Sequence, residues 1–209
     1  MGNVGSMAKP LQGGHAARGG ISSVRLALAG MDAGADALDG DNGLLMALSP
    51  ERRIDATTPA DTLGRDWGIL DERLNIKRYP TVGASQRSAD CAVQIHHAHA
   101  PRIAGIARIR AHISEKHDRV MPIHAPQTAL EAKFSLEFAV AAGLIAGEVG
   151  FAQLTDAFVR RDDVQALMRR IERVVGPDDD PEFSAGARAD IVHLDMADGR
   201  VISGPEVTR

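Results

Sequence analysis

The stretch from Thr128 to Gly147 is the longest segment of this sequence that is typical of a single buried helix. Thr128 and Glu131 form a capping box, in which each side chain binds a backbone N–H of the first turn. Gly147 can adopt the left-handed conformation that ends a helix. Apolar residues recur at helical spacing: Leu130, Phe134, Phe138, Ala141 and Ile145. Three small residues keep the neighbouring surface thin enough for another element to approach: Ala139, Ala142 and Gly143.

A strand is predicted before this helix, because residues 103–113 alternate between apolar and polar side chains. The apolar side chains are expected on one face: Ala107, Ile109, Ala111 and Ile113. The polar side chains are expected on the other: Arg108, Arg110 and His112. We therefore expect a strand with one face in the core and one in water, followed by a polar loop over residues 114–126.

Other elements are predicted from caps and turns. Ser85 or Ser88 is expected to begin a helix that carries Ala89, Ala92 and Ile95. Beyond Gly150 the pattern indicates a short helix, a second helix capped by Asp162 or Asp163 that carries Val164, Leu167, Met168 and Ile171, a strand at residues 173–175 and a solvated loop at 178–180. The turn Ala197-Asp198-Gly199 predicts a hairpin of Ile191–Met196 and Arg200–Ser203.

The first part of the chain shows helical patterns only. Ile21, Val24 and Leu28 have helical spacing before the glycines of residues 30–34, and a short helix is expected at residues 44–48. Residues 49–68 are typical of a linker, and a boundary is expected near residues 69–75. The predicted fold class is therefore α+β, with a partial helical domain at residues 1–70 and an α+β domain at residues 71–209.

Composition narrows the function classes. The net charge of −4 and the absence of a clustered basic face argue against nucleic acid as a partner. No run is long and apolar enough for a membrane span, so a cytoplasmic protein is expected.

The single Cys91 excludes an internal disulfide framework and favours a buried structural thiol. His96, His97 and His99 lie close together but lack the spacing of metal ligands, so the histidines are interpreted as structural and no metal is expected.

Common catalytic strings are absent, namely GxSxG, GxxxxGK[ST], GxGxxG and HExxH. Two lysines in loops remain as candidate site residues. Lys9 precedes Pro10 and the Gly13-Gly14 pair, and Lys77 precedes Arg78-Tyr79-Pro80. Such loops hold a cation where it can meet a small carboxylate, although a surface lysine is the ordinary alternative for each of them.

Three strings, in this order, resemble the MmgE/PrpD family, which includes 2-methylcitrate dehydratase and cis-aconitate decarboxylase. The first, GSMAKPLQGGHAARGG, is similar to a lysine-containing stretch followed by G-x-A-A-x-x-G. The second, KRYPTVGASQRSAD, is similar to a K-x-[YF]-P loop with a later aspartate, Asp90 here. The third, LEAKFSLEFAVAAGLIAGEVG, resembles an A-K-F-S helix. The resemblance extends from Gly5 to about Val201.

The resemblance implies a helical domain, a smaller α+β lid domain and a site between them for small di- and tricarboxylates. It implies a lyase of the hydro-lyase or decarboxylase type, or an isomerase, that needs no cofactor. Lys9 and Lys77 match the family's active-site lysines, which implies that they bind substrate carboxylates and stabilise the enolate-like charge that develops. A homodimer is the expected assembly.

The sequence also departs from the family. Val82 stands where relatives carry histidine or cysteine, and Gln86 replaces a second common histidine. His117 lies near a region that supplies a site residue in relatives, but a loop-surface role is expected for it. Family members are longer than this chain, so we expect a fragment that lacks the proton-transfer residues of the first helical half and the returning C-terminal helices. The alternative is a non-catalytic binding or interaction protein derived from the family.

Overall fold

The computed structural model describes residues 3–49, 51, 53, 61–71, 76–177, 180 and 188–208. The chain forms two compact units, one of Met1–Pro10 with Lys77–Arg209 and the other of Leu11–Ile76. The assignment of domains to residues 1–70 and 71–209 stays a prediction. None of the helices in the described part of the chain combines the length and apolarity needed to cross a membrane.

The described elements are nine α-helices, two short 3-10 helices and four strands. The α-helices are α1 (Ala8–Leu28), α2 (Leu44–Leu48), α3 (Gly68–Asp71), α4 (Gln86–His99), α5 (Glu115–Val120), α6 (Ala129–Ala132), α7 (Leu136–Ala146), α8 (Asp156–Val159) and α9 (Asp162–Met168). The 3-10 helices are Gly83–Ser85 and Ile103–Gly105, and the strands are β1 (Ile106–Ser114), β2 (Ile171–Gly176), β3 (Ile191–Met196) and β4 (Val201–Ser203). The predicted α+β class is confirmed.

The four strands form one sheet in the order β2-β1-β3-β4. Strand β1 pairs parallel with β2 and antiparallel with β3, and β4 returns antiparallel beside β3. The predicted terminal hairpin is confirmed, and Gly199 has the positive φ of +85° that its turn requires. The strand predicted at residues 173–175 lies within β2.

The predicted core face of β1 is correct except at Ala107. Ile109, Ala111 and Ile113 are buried, but Ala107 is exposed and Ile106 is buried in its place. The pairing with β3 shifts between Ile106 and Arg108, as in a β-bulge. One extra residue in a strand reverses the alternation before it, which is why the sequence pattern places Ala107 on the wrong face.

The prediction of one helix from Thr128 to Gly147 is wrong. The capping box is present and Gly147 ends the segment at a φ of +66°, but α6 stops at Ala132 and α7 starts at Leu136. Ser135 between them has an extended backbone, and its Oγ accepts the N–H of Phe138 at 3.2 Å. A serine that caps a new helix competes with continuation of the old one, so the chain breaks here.

Helix α7 is the buried centre of the larger unit. Every residue from Leu136 to Leu144 is buried, and α7 packs closely against α4. A Cβ at Gly143 would lie 2.9 Å from the Cβ of Ala92 and 3.2 Å from the N of Val93. The expectation that small residues permit a close approach is therefore confirmed, and the partner is the predicted helix with buried Ala89, Ala92 and Ile95.

Two further expectations need correction. Residues 114–126 are not only a loop, because they contain α5, where Ser114 Oγ accepts the N–H of His117 at 3.2 Å. Helix α9 follows Arg161, so Asp162 and Asp163 lie within its first turn rather than at its cap. Ile171 lies in β2 instead of α9. Of the expected loop at 178–180, residues 178 and 179 lie outside the described residues.

Within the smaller unit, the predicted short helix at residues 44–48 is confirmed. The first helix is longer than predicted, since α1 begins at Ala8 and ends at Leu28. Helix α1 is described in full and contains no buried residue. Part of the predicted linker and boundary falls outside the described residues, at 50, 52, 54–60 and 72–75.

Candidate functional site

The loop that follows Lys77 is held by one side chain, Gln86 at the start of α4. Its Oε1 accepts the N–H of Tyr79 and its Nε2 donates to the carbonyl of Tyr79, both at 2.9 Å. The same Nε2 also donates to Thr81 Oγ1 at 3.1 Å. Gln86 therefore fixes the backbone of this loop.

Asp90, one turn further along α4, fixes the side chains of the loop. Tyr79 donates its hydroxyl to Asp90 Oδ1 at 2.6 Å, and Arg78 Nη1 lies 2.6 Å from the same oxygen. Gln94 Nε2 donates to the other oxygen, Oδ2, at 2.8 Å. Burial and the hydrogen bond to Asp90 both raise the pKa of Tyr79 well above its ordinary value, so the phenol stays protonated as a donor.

Lys77 is exposed and directly precedes this fixed loop. Arg78, the next residue, is paired with Asp90. The loop is attached to the interruption between α6 and α7, since the N–H of Val82 donates to the carbonyl of Lys133 at 2.8 Å. The Lys77 loop therefore reaches the junction formed by Lys133, Phe134 and Ser135, here called the helix junction.

Lys9 lies in the first turn of α1 rather than in the loop expected from the sequence, and it reaches the helix junction from the other end of the chain. Its Nζ lies 4.5 Å from the centroid of the Phe134 ring, a cation–π contact at an exposed site. Gly5, in the same segment, has a φ of +77°, and a Cβ there would lie 3.3 Å from Cα of Glu131 in α6. The Lys9 segment and the Lys77 loop therefore both contact the helix junction, at adjacent residues.

The A-K-F-S string thus has a definite structural role. Its lysine carbonyl holds one candidate loop, its phenylalanine ring holds the other candidate lysine, and its serine caps α7. This one interruption of the helix contacts Lys9 directly and the loop of Lys77 through Val82. The assignment of the two lysines as catalytic and substrate-binding residues stays a prediction.

Comparison with known proteins gives a family. Residues 79–207, more than half of the chain, match the family model of the MmgE/PrpD C-terminal domain. The chain belongs to the MmgE/PrpD family. No curated protein matches it. The matched region contains Tyr79, Asp90 and the helix junction, and it begins two residues after Lys77.

A separate cavity of about 820 Å³ lies on this MmgE/PrpD domain, lined by Arg78–Pro80, α4, Gly147–Phe151 and Gly204–Pro205. Neither candidate lysine is among the described residues that line it. Its charged groups include Asp90 and Glu148 as well as Arg78, and Arg78 is already paired with Asp90. This balance does not favour a doubly charged anion.

The histidines of α4 bind the end of α7 in this MmgE/PrpD chain. His96 Nδ1 lies 2.7 Å from the carbonyl oxygen of Leu144, and His97 Nε2 lies 2.9 Å from that of Gly147. An imidazole N–H donated to these carbonyls satisfies acceptors that a helix end leaves open. Among the described residues, no three potential ligands are grouped to hold a metal ion.

Cys91 is buried, as predicted for a structural thiol. Its Sγ donates to the carbonyl of Pro205 at 3.4 Å and accepts the N–H of Val192 at 3.3 Å. Burial raises the pKa of the Cys91 thiol to about 11, so the thiolate required of a nucleophile is disfavoured.

Sequence reasoning missed two buried pairs of this domain. Arg173 binds Glu137 through two contacts, Nη2 to Oε2 at 2.7 Å and Nε to Oε1 at 2.8 Å. His117 lies against the buried Asp190. A carboxylate within the apolar run of α7 was a usable signal for the first pair, because a buried acid needs a cationic partner. The second pair had no local signal.

Proposed function

We propose that this chain acts in an MmgE/PrpD-type lyase or isomerase for small di- or tricarboxylates, with Lys9 and Lys77 binding the substrate carboxylates. The observation that supports it is the helix junction, where the segments that carry the two lysines contact neighbouring residues, Phe134 and Lys133. Both lysines are exposed, so their ammonium groups are accessible to an anion. A small anion with two carboxylates matches two ammonium groups better than a neutral ligand does.

The proposed chemistry begins with loss of a proton from a carbon next to a carboxylate. The electron pair of the C–H bond moves toward that carboxylate, which gains enolate-like charge. An ammonium group placed at that oxygen stabilises the developing charge more than the ground state, and this difference accelerates the reaction. Dehydration, decarboxylation and epimerisation share this first stage, so the lysines support the substrate class rather than one reaction.

The test is the affinity of tricarballylate, an unreactive tricarboxylate, measured by isothermal titration calorimetry with the full chain. Lys9→Met and Lys77→Met should each weaken binding by about 1.5–3 kcal/mol, the range for a hydrogen bond to a charged group. That range corresponds to roughly a 10-fold to 150-fold higher Kd.

Arg200→Met is the matched control, because it removes an exposed cation of the β3–β4 hairpin, where Arg200 pairs with Asp198. It should leave the Kd unchanged. Equal affinity in the wild type and in both lysine variants would refute the proposed site.

The second candidate is an interaction protein, and helix α1 supports it. Apolar side chains of α1 are exposed, including Ile21, Val24 and Leu28 at 58%, 60% and 84%. Exposed apolar surface of this kind marks an interaction site in many soluble proteins. The proposed assembly is a homodimer, and sedimentation equilibrium of the wild type and of Val24→Glu tests it. A monomer at all concentrations in both would contradict it.

A further inference from the structure

We propose that His117 and Asp190 form a hydrogen-bonded pair in which Asp190 fixes the imidazole so that His117 acts as the proton-transfer group beside the Lys77 loop. The inference rests on the proposed carboxylate chemistry and adds a base to it. It departs from the sequence-based expectation of a structural, loop-surface role for His117, and it follows from the buried surroundings of Asp190.

Asp190 is a fully buried carboxylate with an unused oxygen. Its Oδ2 accepts the hydroxyl of Ser88 at 3.1 Å, while its Oδ1 lies 3.6 Å from His117 Nδ1. Both Oδ1 and Nδ1 are buried and lack a hydrogen-bond partner among the described residues. A buried carboxylate oxygen without a donor is costly, and an N–H on Nδ1, 3.6 Å away, is a donor suited to it.

The surrounding elements hold both partners in place. Asp190 exchanges two backbone hydrogen bonds with Val207, at 3.1 and 3.0 Å, and Ser88 belongs to α4. The backbone N–H of His117 is held by Ser114 Oγ, which anchors the first turn of α5. These contacts hold the backbones of both residues and one carboxylate oxygen of Asp190. Asp190 is therefore a positioning residue.

This arrangement selects one form of the imidazole. With the proton on Nδ1 shared with Asp190, Nε2 carries the lone pair and can accept a proton. The side chain keeps 14% of its surface exposed, and its Nδ1 is buried. A carboxylate that orients the far nitrogen of a histidine also stabilises the imidazolium formed when Nε2 takes a proton.

The position of α5 gives this base its substrate class. Helix α5 packs against the 3-10 helix Gly83–Ser85, which closes the loop that Lys77 begins. In the proposed step, the carbon next to a substrate carboxylate gives its proton to His117 Nε2. The C–H electron pair moves onto that carboxylate, whose charge a lysine ammonium stabilises. The proton thus goes to His117 and the electron pair goes to the substrate carboxylate, so this step needs no further reactant.

The tautomer is tested first, in the full chain labelled with ¹⁵N-histidine, by long-range ¹H–¹⁵N correlation NMR at neutral pH. The wild type should show His117 protonated on Nδ1. Asp190→Asn, in which the amide can donate to Nδ1, should shift the proton to Nε2, while Ser88→Ala should leave the tautomer unchanged. A wild-type ring protonated on Nε2 overturns the proposal. This measurement uses the wild-type chain, so it does not depend on whether a variant folds.

Proton transfer is tested next, by ¹H NMR of cis-aconitate in deuterated buffer with saturating ligand. The wild type should exchange the methylene protons next to the carboxylate, and His117→Gln should slow this exchange by at least about 100-fold, as expected for loss of a general base. Exchange that persists in His117→Gln, or that is absent in a saturated wild type, overturns the inference. If cis-aconitate does not bind, the proposed function is refuted instead. The tautomer measurement then decides alone whether His117 and Asp190 form the proposed pair.

Discussion

The buried pair of Arg173 and Glu137 allows a sharp test of how this fold is stabilised. The exposed fractions of the two side chains are 8% and 6%, and Arg173 also binds Asp118 Oδ1 and the carbonyl of Met121, both at 2.8 Å. These contacts connect β2, α5 and the start of α7. Replacing Arg173 with Met removes the guanidinium but keeps much of its apolar length.

The expected decrease in the free energy of unfolding follows from the contacts that Glu137 loses. Removing one partner of a buried ion pair costs about 3–5 kcal/mol, because the other charge stays buried without compensation. Glu137 keeps two contacts, with Ser135 Oγ at 3.2 Å and His124 Nδ1 at 3.1 Å. These contacts partly compensate the charge, so we expect a loss near the lower end, about 3 kcal/mol.

The assay is equilibrium unfolding in urea, followed by circular dichroism at constant pH. Arg173→Met with Glu137→Leu should recover part of the loss, since an apolar pair of similar volume avoids the buried charge. Arg200→Met, which disrupts an exposed pair, should leave the midpoint unchanged. A loss of stability below about 1 kcal/mol in Arg173→Met, the range of exposed pairs, would refute this account of the buried pair.

Two further predictions concern the contact between α4 and α7 and the buried thiol. Gly143→Val should destabilise the chain by about 1–3 kcal/mol through overpacking against Ala92, whereas Gly19→Ala in α1, where a Cβ meets no atom within 4 Å, should be neutral or slightly stabilising in the same urea assay. The raised pKa of Cys91, about 11, predicts negligible alkylation by iodoacetamide at pH 8 in the native chain and complete alkylation in urea, measured by intact mass. Equal alkylation rates in the two states would contradict the burial of Cys91.

Local signals predicted much of the fold. The Thr128 capping box, the Gly147 helix end and the Gly199 turn are each set by side chains within a few residues, and each was found. The errors arose where a single residue redirects the chain without disturbing the hydrophobic pattern. Ser135 interrupts a segment that is apolar on both sides of it. The bulge at Ala107 reverses the alternation of the strand, but no residue there marks the change.

The candidate site shows a similar division. The Lys77 loop was predicted correctly, but the loop expected at Lys9 is wrong, because Lys9 lies in the first turn of α1. The contacts of both segments with the helix junction join distant parts of the chain. The same holds for Arg173 and Glu137, which are 36 residues apart, and for His117 and Asp190. Pairs of this kind are set by how distant elements pack against one another, which local sequence patterns do not specify.

The interruption at Ser135 determines more than the length of a helix. In a continuous helix the carbonyl of Lys133 would accept the N–H of Glu137, four residues later. It would then point along the helix axis and not toward a neighbouring loop. Because the ladder is broken, that oxygen points out of the helix and receives Val82 instead. By capping a new helix, the Ser135 hydroxyl thus leaves the carbonyl of Lys133 free to bind the backbone of the Lys77 loop.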